Sequence, residues 1–149
     1  MEDEHKHHVI AWWSAGQSGI AKSDSAPHAI HFAAPPEFGG PEGRWTPEDF
    51  LLSALASCFT TTFHTLAGYS KFEFTDLEVE AEGTICKSDA GYNFSRIFLR
   101  PRLTISGEEK RERALGLLRK AEELCLVSRA LSTTPKVEAR VEVRKSSPA

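Results

Sequence analysis

The chain has 149 residues, enough for one domain with a core of its own. Its 40% hydrophobic and 26% charged residues are ordinary for a globular protein, and its net charge of -3 offers nucleic acid and anionic membranes nothing to hold. No uninterrupted apolar run approaches the ~20 residues of a membrane span, and the opening MEDEHKHHV lacks a signal-peptide core, so the expected compartment is the cytoplasm. Three cysteines suit a reducing interior better than a disulfide framework, which makes any disulfide here transient rather than structural. A single domain over 1–149 is expected, with 1–8 as a flexible tail.

HHVIAWWSA predicts a first strand, GQSG a turn, and HAIHFAA a second strand. The Pro- and Gly-rich stretch over 35–47, PPEFGGPEGRWTP, reads as a shaped loop, either a binding loop or a connector. A helix then starts sharply. Thr46 can cap it, Pro47 sits where its missing N–H is not needed, and Glu48 and Asp49 suit the positive end of the helix dipole. Gly68 is the expected stop. Leu51, Leu55 and Cys58 share one face; Leu52, Leu55, Phe59, Phe63 and Leu66 share the next. A helix apolar around most of its girth is expected to be central and buried.

DLEVEAE, over 76–82, alternates strictly, and KSDAG predicts a hairpin loop into YNFSRIFLRPRLTI. Pro101 in that run predicts an edge or a bulge. Ser106 and Glu109 match a capping box, after which Ala114, Leu118, Ala121 and Cys125 fall on one helical face. LVSRALS predicts a short further helical turn, and VEARVEV, over 137–143, a last alternating strand. Strands with one wet face argue for antiparallel sheet packed against helices, and the order of elements is an α+β pattern.

Cys58 and Cys125 lie on the apolar stripes of two separate helices, which can pack ~8–10 Å apart and bring the sulfurs within reach of each other. Two readings fit. Both can be small buried hydrophobes, or one can be oxidised to a sulfenic acid that the other condenses with. Cys86 ends a strand beside a turn and reads as a bystander. His64, six residues after Cys58, falls almost on the opposite face, which disfavours a Cys–His pair on this helix. His5, His7 and His8 in the tail, and His28 and His31 in a strand, do not make a metal site, and there is no Cys-x-x-Cys.

TPEDFLLSALASCF resembles a helix-opening Pro-Glu-x-Leu motif whose small-rich run ends in Ala-x-Cys-Phe/Tyr. AEELCLVSRAL resembles a second motif, a Cys followed by a hydrophobic residue and Val/Ile-Ser, and DAGYNFSRIFLRPRLTI is similar to the hairpin between them. Together they resemble the OsmC/Ohr family of thiol-dependent hydroperoxide reductases, over about 38–143. The resemblance implies an α+β, OsmC-like fold: two long central helices wrapped by antiparallel sheets in an intertwined homodimer. It implies reduction of organic hydroperoxides with Cys58 as the peroxidatic and Cys125 as the resolving thiol, Glu48 at the site glutamate, an external dithiol reductant of lipoyl type, and no metal, haem or flavin. Where one branch of the family places the site arginine, ten residues before Glu48, this chain has Phe38. Arg44, the only arginine upstream of Cys58, is the candidate for that role, with Arg129 as the alternative. The departure keeps a second reading open, a binding protein for a lipid-like molecule that uses the apolar space around Cys58 without turnover. Leu51, Leu55, Phe59 and Trp45 are the expected lining of that space.

Overall fold

The β-branched and aromatic residues of VIAWWSA favour strand β1 (Val9–Ala15) in the computed structural model, which describes residues 4–144. Strands β2 (Ser18–Ser23) and β3 (Ala26–Ala33) follow, and the three form an antiparallel sheet in the order β1-β2-β3. Strand β2 was not expected, because SGIAKS is poor in β-branched and aromatic residues. Its place is secured by close approach instead: a Cβ at Gly19 would collide with the Trp12 carbonyl and the Phe32 ring. Of the expected tail, residues 1–3 lie outside the described part, and 4–8 form neither helix nor strand.

The loop after β3 holds a 3-10 turn, Pro36–Phe38, closed by Gly39 at φ 89°, where a side chain would be strained. Its end is tied to β3 by the bond from the Ala33 N–H to the Trp45 carbonyl (2.9 Å). Trp45 stacks on Phe50 (6.0 Å, 20°), and Phe50 meets Phe32 edge-on (6.2 Å). The described chain divides into two compact units, the first ending at Leu51 and the second beginning at Leu52. All of these contacts belong to the first.

Helix α1 (Pro47–Tyr69) starts as its cap chemistry dictates. The Thr46 hydroxyl accepts from the Asp49 N–H (3.1 Å), and the Asp49 carboxylate accepts from the Thr46 N–H (3.0 Å). It does not stop at Gly68. It runs one residue further and closes through Lys71, at φ 53°, with the Phe72 N–H bonded to the Ala67 carbonyl (2.8 Å) and Phe72 buried behind it. Only one stripe of α1 is buried, Leu55, Phe59, Phe63 and Ala67, so the fully buried helix expected from its composition is not what one chain provides. With 23 residues and a mean hydropathy of 1.3 over its most apolar window, α1 has the length and composition to cross a membrane although it holds no uninterrupted apolar run of that length; a core helix meets the same two criteria. Its Ser, Thr and His residues break the run without lowering the average enough.

The second unit is built on strands β4 (Asp76–Ser88) and β5 (Gly91–Ile105), an antiparallel hairpin in register from Asp76↔Thr104 to Ser88↔Gly91. Ile97, Leu99, Pro101, Leu103 and Ile105 are the buried face of β5. A Cβ at Gly83 would meet the Phe94 ring and, at 3.2 Å, a Leu52 methyl, so α1 lies directly over this hairpin. On the outer face, Arg100 binds Glu80, Glu82 and Glu138, and Arg102 binds Glu78.

A 3-10 turn, Glu108–Lys110, leads into α2 (Arg111–Leu124), then come α3 (Leu126–Ala130), β6 (Lys136–Val137) and β7 (Arg140–Val143). The capping box expected at Ser106 and Glu109 does not form: the Ser106 hydroxyl accepts from the Lys110 ammonium (3.0 Å), and the Glu109 carboxylate folds over Gly107. The last strand is broken in two, and both pieces pair with β5 in parallel, because a helical crossover brings the chain back in the same direction. The sheet is therefore mixed rather than antiparallel throughout. Nor is Pro101 at an edge or a bulge. The bulge is at Thr84/Ile85, and Pro101 sits in a central strand at the gap where β6, on Phe98 and Leu99, gives way to β7, from Arg102 on, so its missing N–H leaves no ladder bond unmade on that side.

Candidate active site

Cys58 projects from the middle of α1, half-buried, next to the buried Phe59. Cys125 is fully buried, but it is not in a helix. Its φ of -62° and ψ of 111° break the chain between α2 and α3, although its place on the buried face of Ala114, Leu118 and Ala121 is as the spacing predicts. The break starts α3 afresh, with the Arg129 N–H bonded to the Cys125 carbonyl (3.1 Å), and the Leu126 and Val127 N–H groups that follow it stabilise the Cys58 thiolate.

The two thiols are close enough to shift each other's titration, and their surroundings set them apart chemically. Burial pushes the Cys58 thiol up, but the Val127 N–H, the Cys125 thiol, the Thr62 hydroxyl (3.9 Å) and the Leu126 N–H together overcome it, and Cys58 is held below the ordinary thiol value. Burial also pushes Cys125 up; the Ser128 N–H works against it, but the adjoining Cys58 sulfur reinforces it, and Cys125 stays above the ordinary value. Of the pair, Cys58 loses its proton first. Every donor named at its sulfur is a neutral dipole.

Glu48 is half-buried at the second position of α1, and Arg44 is exposed in the loop before it, both in the first unit. Arg129 is exposed on α3 and, with Arg119 and Ser128, lines a surface groove of about 500 Å3. That groove does not contain either sulfur, and neither does one of about 360 Å3 over Arg100 and Glu138. Of the apolar residues expected around Cys58, Leu55 and Phe59 are fully buried, Leu51 is half-buried, and Trp45 stacks on Phe50 in the first unit. Cys86 is exposed, with the Ser95 hydroxyl 3.3 Å from its sulfur. His64, His28 and His31 are exposed, and no group of three His, Cys, Asp or Glu side chains among the described residues is placed to hold a metal. Sequence reasoning missed Thr62 and the two backbone N–H groups. Thr62, one turn after Cys58, was legible as an i,i+4 neighbour; the backbone donors depend on a helix break that no Pro or Gly marks.

A family model described as OsmC-like protein matches residues 39–140, inside the span of about 38–143 over which the resemblance was read. The chain is similar to an uncharacterized protein, YmaD, of Bacillus subtilis (strain 168), 24% identical over 144 residues that make up 95% of this chain and 96% of that protein. It is also similar to Peroxiredoxin OsmC of Escherichia coli (strain K12), 29% identical over 94 residues, 63% of this chain and 64% of the relative. The fold is similar to that of an organic hydroperoxide resistance protein from Elizabethkingia anophelis, with a TM-score of 0.76 at 20% identity over 97% of this chain and 100% of that one.

Proposed function

Because the chain belongs to the OsmC-like protein family, we propose that it reduces organic hydroperoxides through its own thiols, Cys58 attacking the peroxide and Cys125 resolving the product. The observation that carries this is that a half-buried Cys58 sulfur and a fully buried Cys125 thiol act on each other's ionisation, Cys58 held low and Cys125 held high. A chain that needed only two small core residues has no use for donors gathered on one sulfur. In the first step the Cys58 thiolate attacks the outer peroxide oxygen. An S–O bond forms, the O–O bond breaks, and the alkoxide takes up a proton and leaves as the alcohol, with Cys58 oxidised to the sulfenic acid. The Cys125 sulfur then displaces the sulfenic oxygen, which leaves as water with the Cys125 proton, and a disulfide remains. An external dithiol, of lipoyl type, reduces it by two exchanges and is itself oxidised to a disulfide.

The functional unit is a homodimer in the cytoplasm. Helix α1 runs unbroken through both Glu48 and Cys58, ten residues and ~15 Å apart along its axis, beyond the reach of a glutamate side chain. Glu48 and Arg44 therefore serve the cysteines of a second copy, and the apolar residues of α1 outside its buried stripe are the surface that copy covers. The neutral character of the donors at Cys58 favours a second reading in one respect, that of a lipid-like ligand held without turnover.

Cumene hydroperoxide and dithiothreitol separate the two. The wild type is expected to consume the peroxide, faster than it consumes hydrogen peroxide, and Cys58→Ser is expected to fall to the uncatalysed rate. A wild type no faster than Cys58→Ser would refute the enzyme reading and leave the binding protein.

A further inference from the structure

Helical serine and threonine hydroxyls ordinarily donate to a carbonyl of the preceding turn. Around Cys58 this is what α1 shows: Ser57 donates to Ala54 (3.2 Å), Thr60 to Ala56 (2.8 Å), and Thr61 to Ser57 and Cys58 (3.2 Å each). Thr62 departs from the pattern. Its hydroxyl oxygen faces the Cys58 sulfur, 3.9 Å away and part-buried, within hydrogen-bond range for sulfur, where either group can donate while the thiol is protonated and only the hydroxyl can once it is a thiolate. We propose that Thr62 is a positioning residue for Cys58: its hydroxyl donates to the thiolate, fixes the sulfur on the side of α1 that meets the α2–α3 junction, and supplies part of the stabilisation that a nearby cation would otherwise give.

The other groups that stabilise the Cys58 thiolate are the Cys125 thiol, which is itself titratable, and the N–H groups of Leu126 and Val127, all from the junction. Among the described residues that act on this sulfur, Thr62 is the donor carried by Cys58's own helix, a turn further on, so it holds the thiolate whether or not α3 shifts when Cys125 changes its bonding. A threonine hydroxyl beside a thiolate stabilises the charged form, so Thr62 lowers the Cys58 pKa together with the donors of the junction.

The inference gives a further part to the site proposed above, and it is tested without peroxide. The fully reduced protein is alkylated with iodoacetamide through the neutral range and the modified peptides are counted by mass spectrometry, which separates Cys58 from Cys86 and Cys125. Thr62→Val, which keeps the shape and removes the donor, is expected to move the Cys58 profile to higher pH and slow its alkylation at neutral pH by roughly threefold, the loss of one part-exposed hydrogen bond to a charged group. Thr62→Ser, which restores a hydroxyl, is expected to recover most of that rate. Should Thr62→Val melt early, Thr62→Ala stands in for it. A donor-free variant with the wild-type profile, or Thr62→Ser shifted as far as Thr62→Val, would overturn the role. A shifted profile in a protein that fails to consume peroxide would leave the Thr62 contact standing and remove the enzyme reading alone.

Discussion

Phe63→Ala tests whether α1 is seated in the second unit as described. Phe63 is 0% exposed and meets Phe74 edge-on at 5.3 Å. Deleting a fully buried phenylalanine costs ~3–5 kcal/mol in transfer and cavity terms, and the aromatic pair lies within that range or adds ~0.5–1.5 kcal/mol to it. Against a total stability of ~5–15 kcal/mol this is a large fraction, and at ~2–4 °C per kcal/mol it lowers Tm by roughly 6–20 °C. Tyr69→Ala, on the same helix but 85% exposed, is the control and is expected to stay within ~0.5 kcal/mol. Urea unfolding at one fixed protein concentration, compared by midpoint at constant slope, measures both variants. A loss below ~1 kcal/mol for Phe63→Ala, or one equal to that of Tyr69→Ala, would refute the assignment of the Leu55–Phe59–Phe63–Ala67 stripe to the core. Since α1 also carries Cys58, the loosened helix should weaken the contacts at that sulfur and move its alkylation towards that of an ordinary thiol.

One equivalent of an organic hydroperoxide should remove two hydrogens from the intact mass and join Cys58 to Cys125; the same loss in Cys125→Ser, through Cys86, would overturn the pairing. As pH rises, Cys58 should be alkylated well before Cys125, since one is held below and the other above the ordinary value; the reverse order would refute the arrangement of donors. The same shifts act on stability in opposite senses: the depressed Cys58 contributes above its unfolded pKa and loses that contribution as pH falls through its folded value, whereas the raised Cys125 contributes below its unfolded pKa and loses it as pH rises through its folded value, so Cys58→Ser should lower stability mainly at alkaline pH in chemical unfolding. Co-refolding Cys58→Ser with Glu48→Gln should restore activity if sites are shared between subunits, because each heterodimer regains one intact site; no recovery in proven heterodimers would place Glu48 with its own Cys58 or outside the site.

The start of α1 was legible because its signal is local: Thr46, Pro47 and Asp49 settle the cap among themselves. Its end was not, since the stop depends on Phe72 finding a buried place, and that favours Lys71 over Gly68 as the left-handed residue. The long hairpin could be read from its alternation, whereas the parallel pairing of β6 and β7 is set by the crossover and leaves no mark in VEARVEV. At the candidate site, the spacing that made Cys125 a helix-stripe residue continues across a helix break, so it identified the buried face correctly and the backbone wrongly. The family motifs pointed to the two cysteines, but the N–H groups that hold Cys58 belong to positions whose side chains carry no such information.

The donors at Cys58 are dipoles in contact with it, and this bears on how the protein responds to salt. Ions screen a cation's pull on a thiolate over distances that shrink from ~30 Å at 0.01 M to ~8 Å at 0.15 M ionic strength, while a hydrogen bond made at contact leaves no room for them. The reactivity that Thr62, Cys125, Leu126 and Val127 confer is therefore indifferent to ionic strength. Whatever part of the Cys58 rate does fall as salt is added must come from a charge further off, and its size measures how much an arginine such as Arg44 contributes to a sulfur that neutral groups already hold.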